Sequence, residues 1–138
     1  MAPNMRKDVL KDTPALSLAV LSGTYAIHRL NIRAAVPESV FQSRFFSVTR
    51  TDEELSVVCP GELCLDSDRV DPDWACIKVR GPLDFGLTGI LADISGVLAV
   101  AEISIFAIST FDTDYILVKR ASVQTARKAL ERTGYNFG

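Results

Sequence analysis

The sequence predicts an α+β chain: an antiparallel sheet covered on one face by helices, built as two copies of one unit, the first degraded. Three observations carry this. Residues 76–138 read strand, helix, strand, strand, helix and a last short strand, a βαββαβ order that folds with both helices on one face. Sliding the chain by 60 positions lays Phe46–Val58 on Phe106–Val118. Apolar residues make up 48% of the 138 positions, enough to fill the core of one ordinary domain or of two small subdomains sharing one.

Each element follows from its local pattern. Residues 1–13 are polar and read as a loose tail, followed by a first unit over 14–70 and a second over 71–138. Leu16, Leu18 and Val20 alternate with smaller residues, and Ser22-Gly23-Thr24 breaks the run before Tyr25–Leu30, so two strands joined by a turn are expected. Pro37 opens one or two helical turns in "PESVFQS". "RFFSVTRTDEELSVVCP" reads as strand, turn, strand, with "DEE" as a solvated turn. The acidic "GELCLDSDRVDPDW" reads as a connection, and "ACIKVRGPL" as a strand with Ile77 and Val79 on one face and Lys78 and Arg80 on the other.

In the second half, Leu87, Ile90, Leu91, Ile94, Val97, Leu98 and Ala101 step by three and four, which makes an amphipathic helix. Gly96 weakens its middle by about 1 kcal/mol relative to alanine. Two apolar runs, Ile103–Ile108 and Tyr115–Val118, flank the polar "STFDTD" and read as a hairpin. A last helix has Ser122 as N-cap, Val123, Ala126, Ala129 and Leu130 as its inner stripe and Gly134 as its stop, before a short strand in "YNFG".

Composition narrows the function. The net charge of -2 gives no basic footprint, so no nucleic-acid partner is expected. No apolar run approaches the ~20 residues of a membrane span, and the polar start lacks an apolar signal region, so a cytoplasmic protein without membrane contact is expected. Cys59, Cys64 and Cys76 read as reduced thiols. A Cys-x4-Cys spacing with one histidine in the chain, His28, falls short of a structural metal set, so no metal is expected, and His28 reads as a structural residue on its strand. No phosphate-binding glycine loop, dinucleotide fingerprint or serine elbow occurs, so neither cofactor nor catalysis is expected.

"VRGPLDFGLTGILADISGVLA" and "ISIFAISTFDTDYILV" carry a resemblance. The chain resembles tandem ACT-domain proteins, with units similar to those of the animal cytosolic arginine sensors and of aspartate kinase regulatory regions. The resemblance covers 76–133 and, more weakly, 16–60. It implies ferredoxin-like units that regulate by binding an amino acid or other small metabolite where two units meet, hence a homodimer. It implies no catalysis.

The resemblance also implies the site. The loop before the first helix, Asp84-Phe85-Gly86-Leu87-Thr88-Gly89, would hold the ligand, together with the edge of the next strand at Ser104 and Ile105. Thr110, Phe111 and Asp114 match the sensors' ligand-contacting threonine, phenylalanine and aspartate, with Asp112 beside them. Leu87 departs from the sensors, which carry an acidic residue there, and this removes one counter-charge for a cationic ligand.

Residue chemistry agrees with such a site. A helix N-terminus offers N–H groups to a carboxylate, glycines allow close approach, and Asp112 or Asp114 can pair with an ammonium. The same chemistry leaves plainer readings open: Asp112 and Asp114 as turn residues, Thr88 as a helix cap and Phe111 as a core lid. The rival function is a ligand-free adaptor or subunit for an amino-acid metabolic enzyme.

Overall fold

The computed structural model describes residues 16–80 and 89–138. The expected tail, 1–13, and the loop residues Asp84, Phe85, Gly86, Leu87 and Thr88 lie outside them. In chain order the elements are β1 (Ser17–Val20), β2 (Tyr25–Leu30), α1 (Glu38–Phe41), β3 (Ser47–Arg50), β4 (Leu55–Pro60), β5 (Arg69–Val79), α2 (Ile90–Val100), β6 (Ile105–Ser109), β7 (Asp114–Lys119), α3 (Val123–Arg132) and β8 (Asn136–Phe137). They divide into two compact units, one of Ser22–Ala75 and one in which residues 16–21 join Cys76–Gly138.

The Ser22–Ala75 unit is an antiparallel sheet in the order β3-β4-β2-β5, where β5 contributes Arg69–Trp74. Leu30, Leu55, Val57 and Cys59 line one face and are covered by Val40 of the single-turn α1, with Leu63 and Leu65 of the following connection packed against them. Strand β5 corrects one sequence expectation. The acidic stretch read as a connection is already paired from Arg69 onward, opposite Arg29 of β2. Central β2 needs a partner on its second edge, and ladder hydrogen bonds outweigh the poor strand propensity of Asp71 and Asp73. The misfit appears as a register shift between Tyr25 and Ile27 and a left-handed φ of 65° at Asp73.

The second unit has the expected βαββαβ order from β5 to β8, with β1 added between β8 and β5. Strand β1 pairs antiparallel with β5 through Leu18–Val79 and parallel with β8 through Leu18–Phe137. Both helices bury one stripe on the same sheet face. Ile90, Ile94 and Leu98 of α2 and Ala126 and Leu130 of α3 form one core with Leu18, Ile77, Val79, Ile116, Val118 and Tyr135. The Tyr135 hydroxyl donates to Asp93 of α2, tying the segment after α3 to α2.

Helix ends differ in detail from the sequence expectation. Helix α2 begins at Ile90, with Gly89 as N-cap, and Thr88 lies outside the described residues. Ser122 makes no side-chain cap bond, because a 3₁₀ turn at Arg120–Ser122 already leads into α3. Gly134 stops α3 at φ 105°, where the Tyr135 N–H reaches back to the Leu130 carbonyl.

Gly96 lies on the outer side of α2, where an added Cβ would meet nothing within 4 Å. Gly96→Ala is therefore expected to stabilise the protein by about 0.5–1 kcal/mol, through helix propensity alone. A higher urea midpoint at unchanged slope is the check.

Candidate functional site

The β6–β7 hairpin builds one part of the expected site. Its ladder runs from Ile105–Val118 to Ser109–Asp114, leaving Thr110, Phe111, Asp112 and Thr113 as the connecting turn. The Thr110 N–H donates to the Thr113 carbonyl at 2.8 Å. The Thr110 hydroxyl donates to the same carbonyl at 3.0 Å and accepts the Thr113 N–H at 3.3 Å. The turn is thus closed by its own side chain. Buried Thr113 points its hydroxyl at the carbonyl of Val79, the last residue of β5. The Ser109 hydroxyl donates to Asp114 Oδ1 at 2.6 Å and fixes that carboxylate, leaving Oδ2 for another donor. Phe111 stands at the tip, 81% exposed, and Asp112 is exposed beside it. Phe111 as a lid on the core is excluded by that exposure.

Gly89 occupies the left-handed region at φ 88°, which favours glycine, and stands as N-cap of α2. Among the described residues no side chain caps the first-turn N–H groups of α2, the condition under which a helix N-terminus suits an anion. A cleft of about 480 Å³ opens beside it, lined by Gly89, Ala92, Asp93, Gly96, Val97 and Val100. Its described lining is one face of α2, where Gly96 and Val100 are open to solvent, so within one chain it is a shallow groove and not an enclosed pocket.

Topology decides which expected residues lie together. Helix α2 runs for ~16 Å at 1.5 Å per residue, and β6 then carries the chain back over a similar length. Gly89 and the hairpin residues Thr110, Phe111, Asp112 and Asp114 consequently share one end of the unit. Ser104 and Ile105 sit at the other end, where Ile105 pairs with Val118 and packs against the core while Ser104 is exposed. Within one chain, the structure does not bring Ser104 and Ile105 to the hairpin.

Sequence reading did not single out Ser109 and Thr113, which orient Asp114 and anchor the turn. The signal was their place in the hairpin register, Ser109 directly opposite Asp114. That register also adjusts the internal repeat. Arg50 pairs with Leu55 in the first hairpin, as Ser109 pairs with Asp114 in the second. Thr51, whose hydroxyl accepts the N–H groups of Glu53 and Glu54, matches Thr110. The structural counterpart of Asp114 is therefore Leu55, 1% exposed in the core, and not Glu54 as the 60-residue shift suggested. The first hairpin holds no carboxylate at that position.

The three cysteines are free thiols; burial pushes Cys76 up to about 12 and raises Cys59 as well. Among the described residues, no helix is long and apolar enough to cross a membrane.

Comparisons with known proteins point one way. The family model for the ACT domain matches residues 69–132, and a separate model of an N-terminal domain matches 23–64. The human cytosolic arginine sensor for mTORC1 subunit 1 is 30% identical over 132 residues, covering 86% of this chain and 39% of the sensor. The Bos taurus sensor is 37% identical over 88 residues, which is 63% of this chain and 26% of the sensor. This chain thus spans about two-fifths of the length of such relatives. A crystal structure of an Agrobacterium tumefaciens protein superposes with a TM-score of 0.83 at 38% identity, covering 91% of this chain and 94% of that one. The regulatory subunit of aspartate kinase from Thermus thermophilus shares the fold, with a TM-score of 0.58 at 12% identity over 84% of this chain and 96% of that one. Residues 69–132 of the chain match the ACT domain, and that stretch is the part of the chain assigned to the family.

Proposed function

We propose that the protein is a non-catalytic regulatory module that binds an amino acid, with the site completed by an ACT unit of a second copy. The observation that carries this is the pairing, at one end of the second unit, of two complementary poles. Glycine-capped α2 presents N–H donors for an α-carboxylate. Asp114, oriented by Ser109, presents a carboxylate for an α-ammonium. Kinship with a protein named as an arginine sensor supports an amino-acid ligand. The match to an aspartate kinase regulatory subunit supports only the shared fold.

The ligand side chain would lie along an apolar groove in which Asp93, engaged by Tyr135, is the one charged residue among the described lining residues. Together with Leu87, this favours an uncharged side chain over arginine. Binding acts by population shift: the ligand favours one arrangement of the assembled units and so changes what a partner enzyme meets.

A thermal-shift screen against the twenty common amino acids at millimolar concentration tests the reading. A ligand at 100 times its Kd adds about 2.7 kcal/mol, a rise of several degrees for a chain of this size. One clear stabiliser supports a sensor. No stabiliser among the twenty would sink the amino-acid reading and favour the ligand-free adaptor.

A further inference from the structure

We propose that His28 and Ser67 form an acid-released latch, which holds the connection between β4 and β5 against its sheet at neutral pH and frees it when the imidazole takes up a proton.

The connection, residues 61–68, is fixed at its two ends by backbone bonds, Gly61 N–H to Thr24 and Asp68 N–H to Arg29. Between them, Leu63 and Leu65 rest on the apolar face formed by Leu30, Leu55, Val57 and Cys59, and Ser67 supplies a polar tie. That tie is 2.7 Å from Ser67 Oγ to His28 Nδ1. His28 is central in the sheet, between Val57 of β4 and Val70 of β5, and is 5% exposed. Its Nε2 is buried and has no hydrogen-bond partner among the described residues.

The tautomer follows from Ser67. Its hydroxyl donates to the Leu65 carbonyl at 3.5 Å, so Nδ1–H donates to Ser67 and Nε2 keeps a bare lone pair. A bare acceptor in an apolar setting is tolerated. A charged ring with a second N–H aimed at no acceptor is not.

The neighbouring ionisable groups give the cation little help. Cys59 is a buried neutral thiol on β4, diagonal to His28. On the connection, Asp66 and Asp68 are exposed, Cys64 is an exposed thiol, and Glu62 is committed to Arg44 at 2.7 Å. Arg29, Arg69 and Asp71 lie on the opposite face of β2 and β5, and Glu38 of α1 is exposed. Burial accordingly lowers the proton affinity of His28 below its ordinary value. The sign follows. The unfolded ring protonates near 6.5 and the folded one only at lower pH, so this stabilisation is full above ~6.5 and is lost as pH falls from there through the folded value.

His28 is the one histidine in the chain, so its titration can be read without overlap. An NMR titration of the full chain is expected to give a midpoint below 6.5, and a midpoint at or above 6.5 would overturn the latch. Amide exchange, corrected for its intrinsic pH dependence, is expected to quicken at least tenfold over residues 62–67 between pH 7.5 and 5, ahead of β4. His28→Gln should remove that acid response; an equal response in this variant and the wild type would overturn the proposal. Ser67→Ala leaves the ring in place and guards against a misfolded glutamine variant. It should show fast exchange over 62–67 at both pH values, and full protection at pH 7.5 would equally overturn the latch.

Discussion

Asp114→Asn is expected to cost the protein its amino-acid ligand while moving its melting temperature by no more than about two degrees. Asparagine keeps the shape of aspartate and can still accept the Ser109 hydroxyl through Oδ1, so the hairpin end stays closed. What goes is the negative charge. A hydrogen bond between charged partners contributes ~1.5–3 kcal/mol, which corresponds to a loss of roughly 10–150-fold in affinity. Titration calorimetry with whichever amino acid stabilises the wild type reads this directly. Unchanged affinity would make Asp114 a turn residue and nothing more.

Leu98→Ala is expected to destabilise the protein strongly. Leu98 is fully buried at 0% exposure, one turn beyond Ile94, and sits in the core shared by both helices and the sheet. Truncation removes its transfer energy and leaves a cavity that the surrounding sheet cannot close, a cost of ~2–5 kcal/mol. Against a total stability of ~5–15 kcal/mol, that is a large fraction, visible as a lower urea midpoint or as loss of soluble protein. Val100, two residues on and 88% exposed, is the control: Val100→Ala should stay within ~0.5 kcal/mol of wild type. Comparable losses from both would mean that α2 packs through a different face.

Much of the fold was legible because the patterns that signal it are local. The three-and-four spacing of Ile90, Ile94 and Leu98 placed the buried stripe of α2, and alternation in Cys76–Val79 placed Ile77 and Val79 inward. What escaped depends on partners distant in sequence. The strand character of Arg69–Trp74 comes from β2 and not from its own acidic residues. The short β1 finds its partners near positions 78 and 137, which no local pattern can announce.

The site divides in the same way. The turn within 109–114 was readable from residue types, whereas Gly89 entered through the family resemblance. The roles of Ser109 and Thr113 required a register, and the 60-residue repeat placed Glu54 where pairing places Leu55. A one-residue difference there decides whether the first hairpin carries a carboxylate, because side chains alternate faces along a strand.

The most direct test of the central claim is where a bound amino acid sits. Amide chemical-shift mapping of the labelled protein, titrated with the stabilising amino acid, gives that position residue by residue. The account predicts that the largest shifts cluster at Gly89–Ala92, Ser109–Asp114 and the cleft face of α2, with the β3–β4 hairpin silent. Shifts centred on β3–β4, or spread without a cluster while the hairpin of Asp114 stays unmoved, would contradict it.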